Sequence, residues 1–213
     1  MGSQNQMCRF SLASATVEDI PDITQVYLQA FGKETLSIRM FPHTPGVRKW
    51  WEEANTDELL HNPHARFLKV VDADAEGGKE KIVGYAKYVV PVDGKMKIED
   101  VSAITWPEDS DADLCNLFFG QLDNNKKKIM GDRTYIVLEL LATLPEYQGK
   151  GVGSMLLRWG CEQADRDGLQ LYLDASPAGK PLYEKHGFLE RAKSFIPEVQ
   201  HVECHMVRSP KSA

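Results

Sequence analysis

Apolar residues follow first a strand pattern and then helical patterns over the first half of the chain. They alternate roughly over 8–13 and then recur at helical spacing over 20–31. A second helical pattern over 34–62 is interrupted by prolines. Two apolar runs, 65–72 and 81–90, flank a polar, glycine-containing turn and predict an antiparallel hairpin.

The second half continues the alternation of helices and strands. The most apolar run, 134–142, is apolar on both faces, which predicts a central strand. Helix 151–167 follows it and leads to strand 169–174, and such a strand–helix–strand unit predicts a parallel pair. A short helix and two strands complete the chain, at 178–186, 188–195 and 200–207.

These elements predict a single α/β (α+β) domain over residues 1–213. Its sheet is expected to be mixed, mostly antiparallel, with about six to seven strands flanked by helices. Of its 213 residues, 42% are apolar and 26% charged, which is ordinary for a globular protein.

Charge and cysteine content exclude several classes of function. The net charge of −6 argues against a broad nucleic-acid-binding surface. No apolar run approaches the roughly 18 residues of a membrane span. Cysteines 8, 115, 161 and 204 contain no C-x-x-C pair, so we expect no metal and a reducing, cytoplasmic location.

The segment 91–131 has an acidic character and joins the hairpin to the central strand. Acids accumulate from Glu99 and Asp100 to Asp113, and an amphipathic helix follows over about 114–122. A solvated helix accounts for this charge pattern, and an acidic rim that attracts cationic substrates is the alternative. The segment is expected to be an insertion that forms either a lid or a dimer surface.

The glycine-rich turn 148–154 opens the helix that follows the central strand. Glycines allow the backbone to approach a ligand closely, and the first amides of a helix attract anions. A P-loop would need Ser or Thr where Gly151 stands, and a dinucleotide fingerprint would need a third glycine at Leu156. Both of these identities therefore fail.

Two motifs resemble the GCN5-related N-acetyltransferase (GNAT) superfamily. Gln148-x-x-Gly151-x-Gly153, entered from an apolar strand and a Pro-Glu-Tyr loop, is similar to its acetyl-CoA-binding signature. Tyr183, followed by Gly187-Phe188, looks like its Tyr-x-x-x-Gly-Phe element. The resemblance covers 134–188, which is expected to be the acetyl-CoA-binding core. The residues around the two motifs are most similar to a branch of the family common in fungi.

The resemblance implies how acetyl-CoA binds. In the family the central strand splays from the next parallel strand, pantetheine lies in the gap, and the pyrophosphate sits on the glycine turn. Ser176 stands where many members carry an asparagine that contacts pantetheine. The implied acetyl-CoA contacts are Leu141, Ala142, Thr143, Gln148, Gly149, Lys150, Gly151, Val152, Gly153, Ser154, Ser176, Lys180 and Tyr183.

Two side chains are candidates for catalysis. Glu139 interrupts an apolar strand, so desolvation is expected to raise its pKa, and it is either the general base or a group that binds the acceptor ammonium. Tyr183 matches the tyrosine that faces the CoA sulfur in many relatives and is the candidate general acid; ordinary helix packing is the alternative.

The implied acceptor site is formed by 31–51, Glu139 and 195–197, and its aromatic residues predict a partly apolar or cation-recognising pocket. We therefore expect acetyl transfer from acetyl-CoA directly to a primary amine of a small molecule, by a monomer or homodimer. The alternatives are a protein lysine or N-terminal acetyltransferase, a non-catalytic CoA-binding sensor, and an enzyme for longer acyl chains.

Overall fold

Seven strands form one sheet in the order β1-β2-β3-β4-β5-β7-β6. The computed structural model describes residues 9–75, 79–96 and 104–211, so Cys8, Glu99 and Asp100 lie outside the described residues. The strands are β1 Phe10–Ser14, β2 Ala65–Asp72, β3 Lys81–Val89, β4 Tyr135–Thr143, β5 Gln170–Ala175, β6 Leu189–Ile196 and β7 His201–Arg208. The helices are α1 Ile20–Phe31, α2 Thr35–Met40, α3 Pro45–His61, α4 Ala112–Met130, α5 Val152–Asp167 and α6 Lys180–Lys185.

This topology confirms the predicted mixed sheet. β4 lies at the centre and pairs parallel with β5, and every other pair in the sheet is antiparallel. Among the described residues, no helix is both long and apolar enough to cross a membrane.

Local sequence signals start the helices where the structure has them. The Thr44 hydroxyl accepts a hydrogen bond from the Val47 amide, and Pro45 occupies the first helical position of α3. The Asp111 carboxylate accepts in the same way from the Leu114 amide at the start of α4. These caps satisfy amides that a helix start otherwise leaves unpaired.

Alternation along β3 assigns the helices to two faces of the sheet. Tyr88 packs against Gly160 of α5, where a Cβ would lie 2.4 Å from its ring, and its hydroxyl donates to the Leu156 carbonyl. The neighbouring Lys87 points to the other face and pairs with Glu58 of α3. Since adjacent strand residues face opposite ways, α5 covers one face and α3 the other.

Helix α4 of the 91–131 segment contributes buried residues to the core. Met130 of α4 clusters with Val89, Tyr135 and Val137 on the α3 face of the sheet. Asp109 accepts a hydrogen bond from Thr44, and Asp111 forms an ion pair with Arg39 of α2. These two acids therefore hold the segment against α2 and α3 and do not form an open acidic rim.

β4 and β5 separate half-way along β4. Their pairing runs from Tyr135↔Gln170 to Leu138↔Leu173 and then stops, whereas β4 continues to Thr143 on the β3 side. β5 continues from Asp174 to Ala175 on the β7 side. The expected splay of the two parallel strands is thus present at the end of β4 that leads into the glycine turn.

Candidate active site

The glycine turn after β4 requires left-handed backbone at two positions. Gly149 has a φ of 74° and Gly151, which caps α5, has a φ of 91°. No atom lies within 4 Å of where a Cβ would stand at either residue. Backbone conformation, and not crowding, therefore demands glycine here.

The same turn presents unpaired amides. The amides of Gly149, Gly151, Val152, Gly153 and Ser154 donate to no backbone or side-chain acceptor in the part of the chain that the structure describes. They are the free donors of a helix start, where the helix dipole also attracts negative charge.

The expected run of amides over 149–154 has one interruption, because the Lys150 amide is 3.4 Å from the Tyr147 carbonyl oxygen. The Lys150 ammonium lies 5.0 Å from the centre of the Tyr147 ring, beside the turn. The turn therefore offers an anion five free amides and one adjacent positive charge.

Two further glycines hold this turn close to the sheet. A Cβ at Gly153 would stand 3.2 Å from a Leu182 methyl and 3.5 Å from a Leu141 methyl. Val152 lies over Gly84 of β3, where a Cβ would be 2.6 Å from its side chain. Gly153 and Gly84 thus allow the start of α5 to pack tightly on the splayed end of β4.

The splayed edge of β4 exposes backbone groups toward the gap. The Leu144 amide donates to Val83 on the β3 side, so by alternation the backbone groups of Leu141 and Thr143 point toward the gap, whereas those of Ala142 point toward β3. The Thr143 carbonyl accepts a weak 3.3 Å hydrogen bond from the Gln148 side chain. An amide-bearing ligand could pair with this edge as an added strand does.

Glu139 occupies a β-bulge in β4. Lys87 pairs with Leu140 and Tyr88 with Leu138, so Glu139 is the extra residue between them. Its carboxylate lies 2.9 Å from the Lys87 ammonium, which also lies 2.8 Å from the Glu58 carboxylate.

The expectation of a raised pKa at Glu139 is wrong. Desolvation of the partly buried carboxylate does raise its pKa, but the positive charge of Lys87 and its hydrogen bond outweigh that effect. The pKa of Glu139 is therefore below its usual value, and the side chain, 29% exposed, stays ionised at neutral pH.

Tyr183 of α6 is buried beside the gap. Its ring packs edge-on against Phe188 and lies 3.1 Å from where a Cβ of Gly179 would stand. The hydroxyl has no hydrogen-bond partner among the described residues, so the alternative of a hydroxyl bonded to backbone is not what the structure has. Burial and the nearby Glu203 carboxylate raise its pKa, which keeps the phenol protonated.

Two expected acetyl-CoA contacts already have partners within the protein. The Ser176 hydroxyl accepts a hydrogen bond from the Gly179 amide at 3.3 Å. The Lys180 ammonium lies 2.8 Å from Glu190 and 3.4 Å from Glu184. Ser176 thus holds the turn before α6, and Lys180 would have to leave its carboxylates to contact a phosphate.

An aromatic cluster lines the expected acceptor side. Phe41 stacks on Trp50 at 5.7 Å between ring centres, and Trp106 stacks on Phe119 of α4 at 5.1 Å. The Trp50 indole donates to the Thr105 carbonyl. Trp50 therefore packs against other aromatic residues and joins α3 to the segment before α4.

Sequence reasoning missed a polar group under α4, on β5, β6 and β7. The His205 imidazole lies 2.5 Å from Asp174 and 2.7 Å from the Ser194 hydroxyl, and Glu203 lies 2.6 Å from His201. His201, Glu203 and His205 recur at every second residue of the last strand, and this period-two signal could have placed them on one face. No group suited to a metal ion occurs among residues 9–75, 79–96 and 104–211.

Comparison with known proteins finds similar chains. A profile of the acetyltransferase (GNAT) domain matches residues 119–190. An acetyltransferase from Stachybotrys chartarum is 22% identical over 200 residues, covering 88% of this chain and 84% of its own.

Two solved structures have the same fold. The mosquito arylalkylamine N-acetyltransferase like 5b is 16% identical with a TM-score of 0.62, covering 94% of this chain and 99% of its own. The PaiA N-acetyltransferase of Thermoplasma acidophilum, solved in complex with coenzyme A, is 13% identical with a TM-score of 0.57, covering 95% and 99%. At these identities the likeness shows the fold.

Proposed function

This chain belongs to the GNAT superfamily and is an acetyl-CoA-dependent acyltransferase, and from that premise we propose that it transfers acetyl directly to a primary amine of a small molecule. The observation that carries the proposal is the free-amide turn at 149–154, located at the end of a strand that has left its parallel neighbour. A diphosphate fits the turn, and an amide-bearing arm fits the strand edge.

The acetyl-CoA contacts follow from this geometry. The free amides of Gly149, Gly151 and 152–154 would hold the pyrophosphate, and Lys150 would add its charge. The open backbone groups of Leu141 and Thr143 would pair with the pantetheine arm. The thioester would then lie in the gap, near the Tyr183 hydroxyl.

Tyr183 supplies the proton for the leaving thiolate in this proposal. A general acid must keep its proton until the carbon–sulfur bond breaks, and the raised pKa of Tyr183 ensures that at neutral pH. Its unpartnered hydroxyl is free to point at the sulfur.

Glu139 binds the acceptor ammonium in this proposal. The Glu139 carboxylate is ionised under the positive charges of Lys87 and Lys126, and 29% of its side chain is exposed. The exposed part of this negative group would attract the acceptor ammonium. Of the two roles left open for Glu139, its lowered pKa supports binding over proton abstraction.

The aromatic cluster supports an acceptor with an apolar part. Phe41, Trp50, Trp106 and Phe119 form it on the α3 side, and aromatic faces favour both apolar groups and cations. Because Asp109 and Asp111 are already paired within the protein, they offer no acidic track for a basic peptide.

An amine panel with acetyl-CoA tests the proposal. Free thiol release is followed with arylalkylamines, polyamines, amino acids and peptides with free N-termini or lysines, and a Gly151→Val variant with a damaged turn serves as the inactive control. We expect turnover with small primary amines and none with peptides. Turnover confined to peptides contradicts the acceptor class, and CoA binding without turnover on any amine contradicts the enzyme.

A further inference from the structure

Two strand segments border the opening in which the proposed reaction would occur. β5 ends at Ala175, which pairs with Cys204, so residues 201–203 of β7 extend past the end of β5. On the other side, β4 has no partner in β5 after Leu138. The start of β7 and the end of β4 therefore face the same gap, one carrying Glu203 and the other Glu139.

Glu203 and His201 form a buried pair at this start of β7. The His201 Nε2 lies 2.6 Å from the Glu203 Oε2, and the two side chains are 13% and 7% exposed. Because a carboxylate only accepts, Nε2–H donates, and the ring is held edge-on by Phe118 of α4. The second oxygen of Glu203 accepts from no donor in the described part of the chain.

We propose that Glu203 is the general base that takes the proton of the acceptor ammonium, that His201 positions it, and that Glu139 stays ionised as the ammonium's counter-charge. This inference rests on the proposed function. It divides two tasks between two carboxylates on opposite sides of one gap, one held by a lysine and the other by a histidine.

The surroundings of Glu203 raise its pKa above the usual value for a glutamate. Burial raises its pKa, and Asp174 on β5 adds to this, whereas His201 and His205 act in the opposite direction. Tyr183 of α6 faces the same carboxylate, and Ser194 of β6 stands opposite it. Glu34, just before α2, is close enough to His201 for their charges to interact.

The proposed step balances in atoms and protons. The ammonium gives one proton to Glu203, and the freed lone pair forms the nitrogen–carbon bond with the thioester carbonyl. The carbon–sulfur bond then breaks, the thiolate takes the Tyr183 proton, and the tyrosinate recovers a proton from the amide nitrogen. Glu203 finally releases its proton to solvent.

The pH dependence of kcat/KM distinguishes Glu203 from Glu139, using the best acceptor of the amine panel. Glu203→Gln should lower kcat at pH 7 by about 10²-fold or more and leave CoA affinity unchanged. Without the base only the deprotonated amine reacts, so kcat/KM of this variant should rise tenfold per pH unit. In the wild type kcat/KM should instead reach a plateau once Glu203 is ionised. Glu53→Gln, on the exposed side of α3, is the matched control and should retain the plateau.

His201 variants test positioning. His201→Leu removes the hydrogen-bond donor that favours the ionised Glu203 carboxylate, so the acid limb of the pH profile should move to higher pH. His201→Gln keeps a donor, so its acid limb should lie near that of the wild type. This test also stands if Glu203→Gln does not fold. Loss of the plateau in Glu139→Gln, with the plateau intact in Glu203→Gln, overturns the proposal.

A second readout needs no activity. In protein labelled with ¹³C at the glutamate carboxyls, the two signals are assigned by their loss in Glu203→Gln and Glu139→Gln. Glu203 should titrate at higher pH than Glu139, and the reverse order overturns the proposal. If no amine is acetylated, the proposed function fails, and this titration alone still decides between the two carboxylates.

Discussion

Valine at Gly151 should abolish tight CoA binding in a protein that still folds. At a φ of 91° a side chain has open space but a strained backbone, so the cost to folding is conformational. Left-handed backbone costs an L-residue about 1–2 kcal/mol. In a chain of 213 residues this corresponds to a loss of about 2–8 °C in Tm.

The effect on binding should be larger than the effect on folding. A valine that relaxes to negative φ turns the peptide that carries the Val152 amide, and the free donors of the turn no longer converge. A hydrogen bond to a charged group contributes about 1.5–3 kcal/mol, so each one lost weakens CoA binding about 10- to 150-fold.

Gly168→Val provides the matched control. Gly168 caps the other end of α5, also with a positive φ, 66°, and with open space at its Cβ. It should therefore lose similar stability and keep its affinity for CoA. Calorimetric titration with CoA and thermal unfolding measure both quantities. Equal CoA affinity in the two variants, whether lost or retained, refutes the reasoning.

Three other substitutions test separate parts of the account. Tyr183→Phe should lower kcat about 10²-fold with CoA affinity unchanged, and an unaltered kcat in steady-state assays would remove the hydroxyl from the chemistry. Glu139→Gln should raise KM for a cationic acceptor more than it lowers kcat; the opposite split argues for a base. Because the native pKa of Glu139 is depressed, its ionic contribution to stability is present above the ordinary pKa of about 4.3 and disappears as pH falls through the native value. The Tm difference from wild type should accordingly vanish in acid, and a difference that persists there counts against the Lys87 pair. Gly160→Val places a Cβ 2.4 Å from the Tyr88 ring and should cost about 1–3 kcal/mol in denaturant unfolding; an unchanged midpoint contradicts the tight packing of α5 on β3.

Local sequence patterns were sufficient for the fold and for the turn. Period-two and helical spacing placed all seven strands and the helices, because each element buries one apolar face. The glycines at 149 and 151 predicted an anion-binding turn, since their role is a property of a few adjacent residues. The separation of β4 from β5 was predicted from the family resemblance, since no local sequence pattern indicates it.

The charges around Glu139 depend on contacts distant in sequence. Lys87 meets it only because β3 pairs with β4, and the bulge at Glu139 depends on a register that a single strand does not reveal. Desolvation was visible from the apolar strand, but the neutralising lysine was not, so the direction of the pKa shift was wrong.

The polar group on β7 was missed for a different reason. The period-two spacing of His201, Glu203 and His205 predicts that they share one face of β7. It does not reveal that the start of β7 extends past the end of β5, on which their proposed role depends. In the sequence, the acids before α4 could form an acidic rim. In the structure, Asp109 instead accepts a hydrogen bond from Thr44, and Asp111 pairs with Arg39 of α2.

The central claim is that main-chain amides after β4 bind the pyrophosphate of CoA. Titration of ¹⁵N-labelled protein with CoA, followed through the amide resonances of Gly149, Gly151 and Gly153, tests it most directly. The account predicts that these three signals shift with the calorimetric affinity, whereas that of Gly168 stays in place. CoA binding that leaves all three unmoved would contradict it.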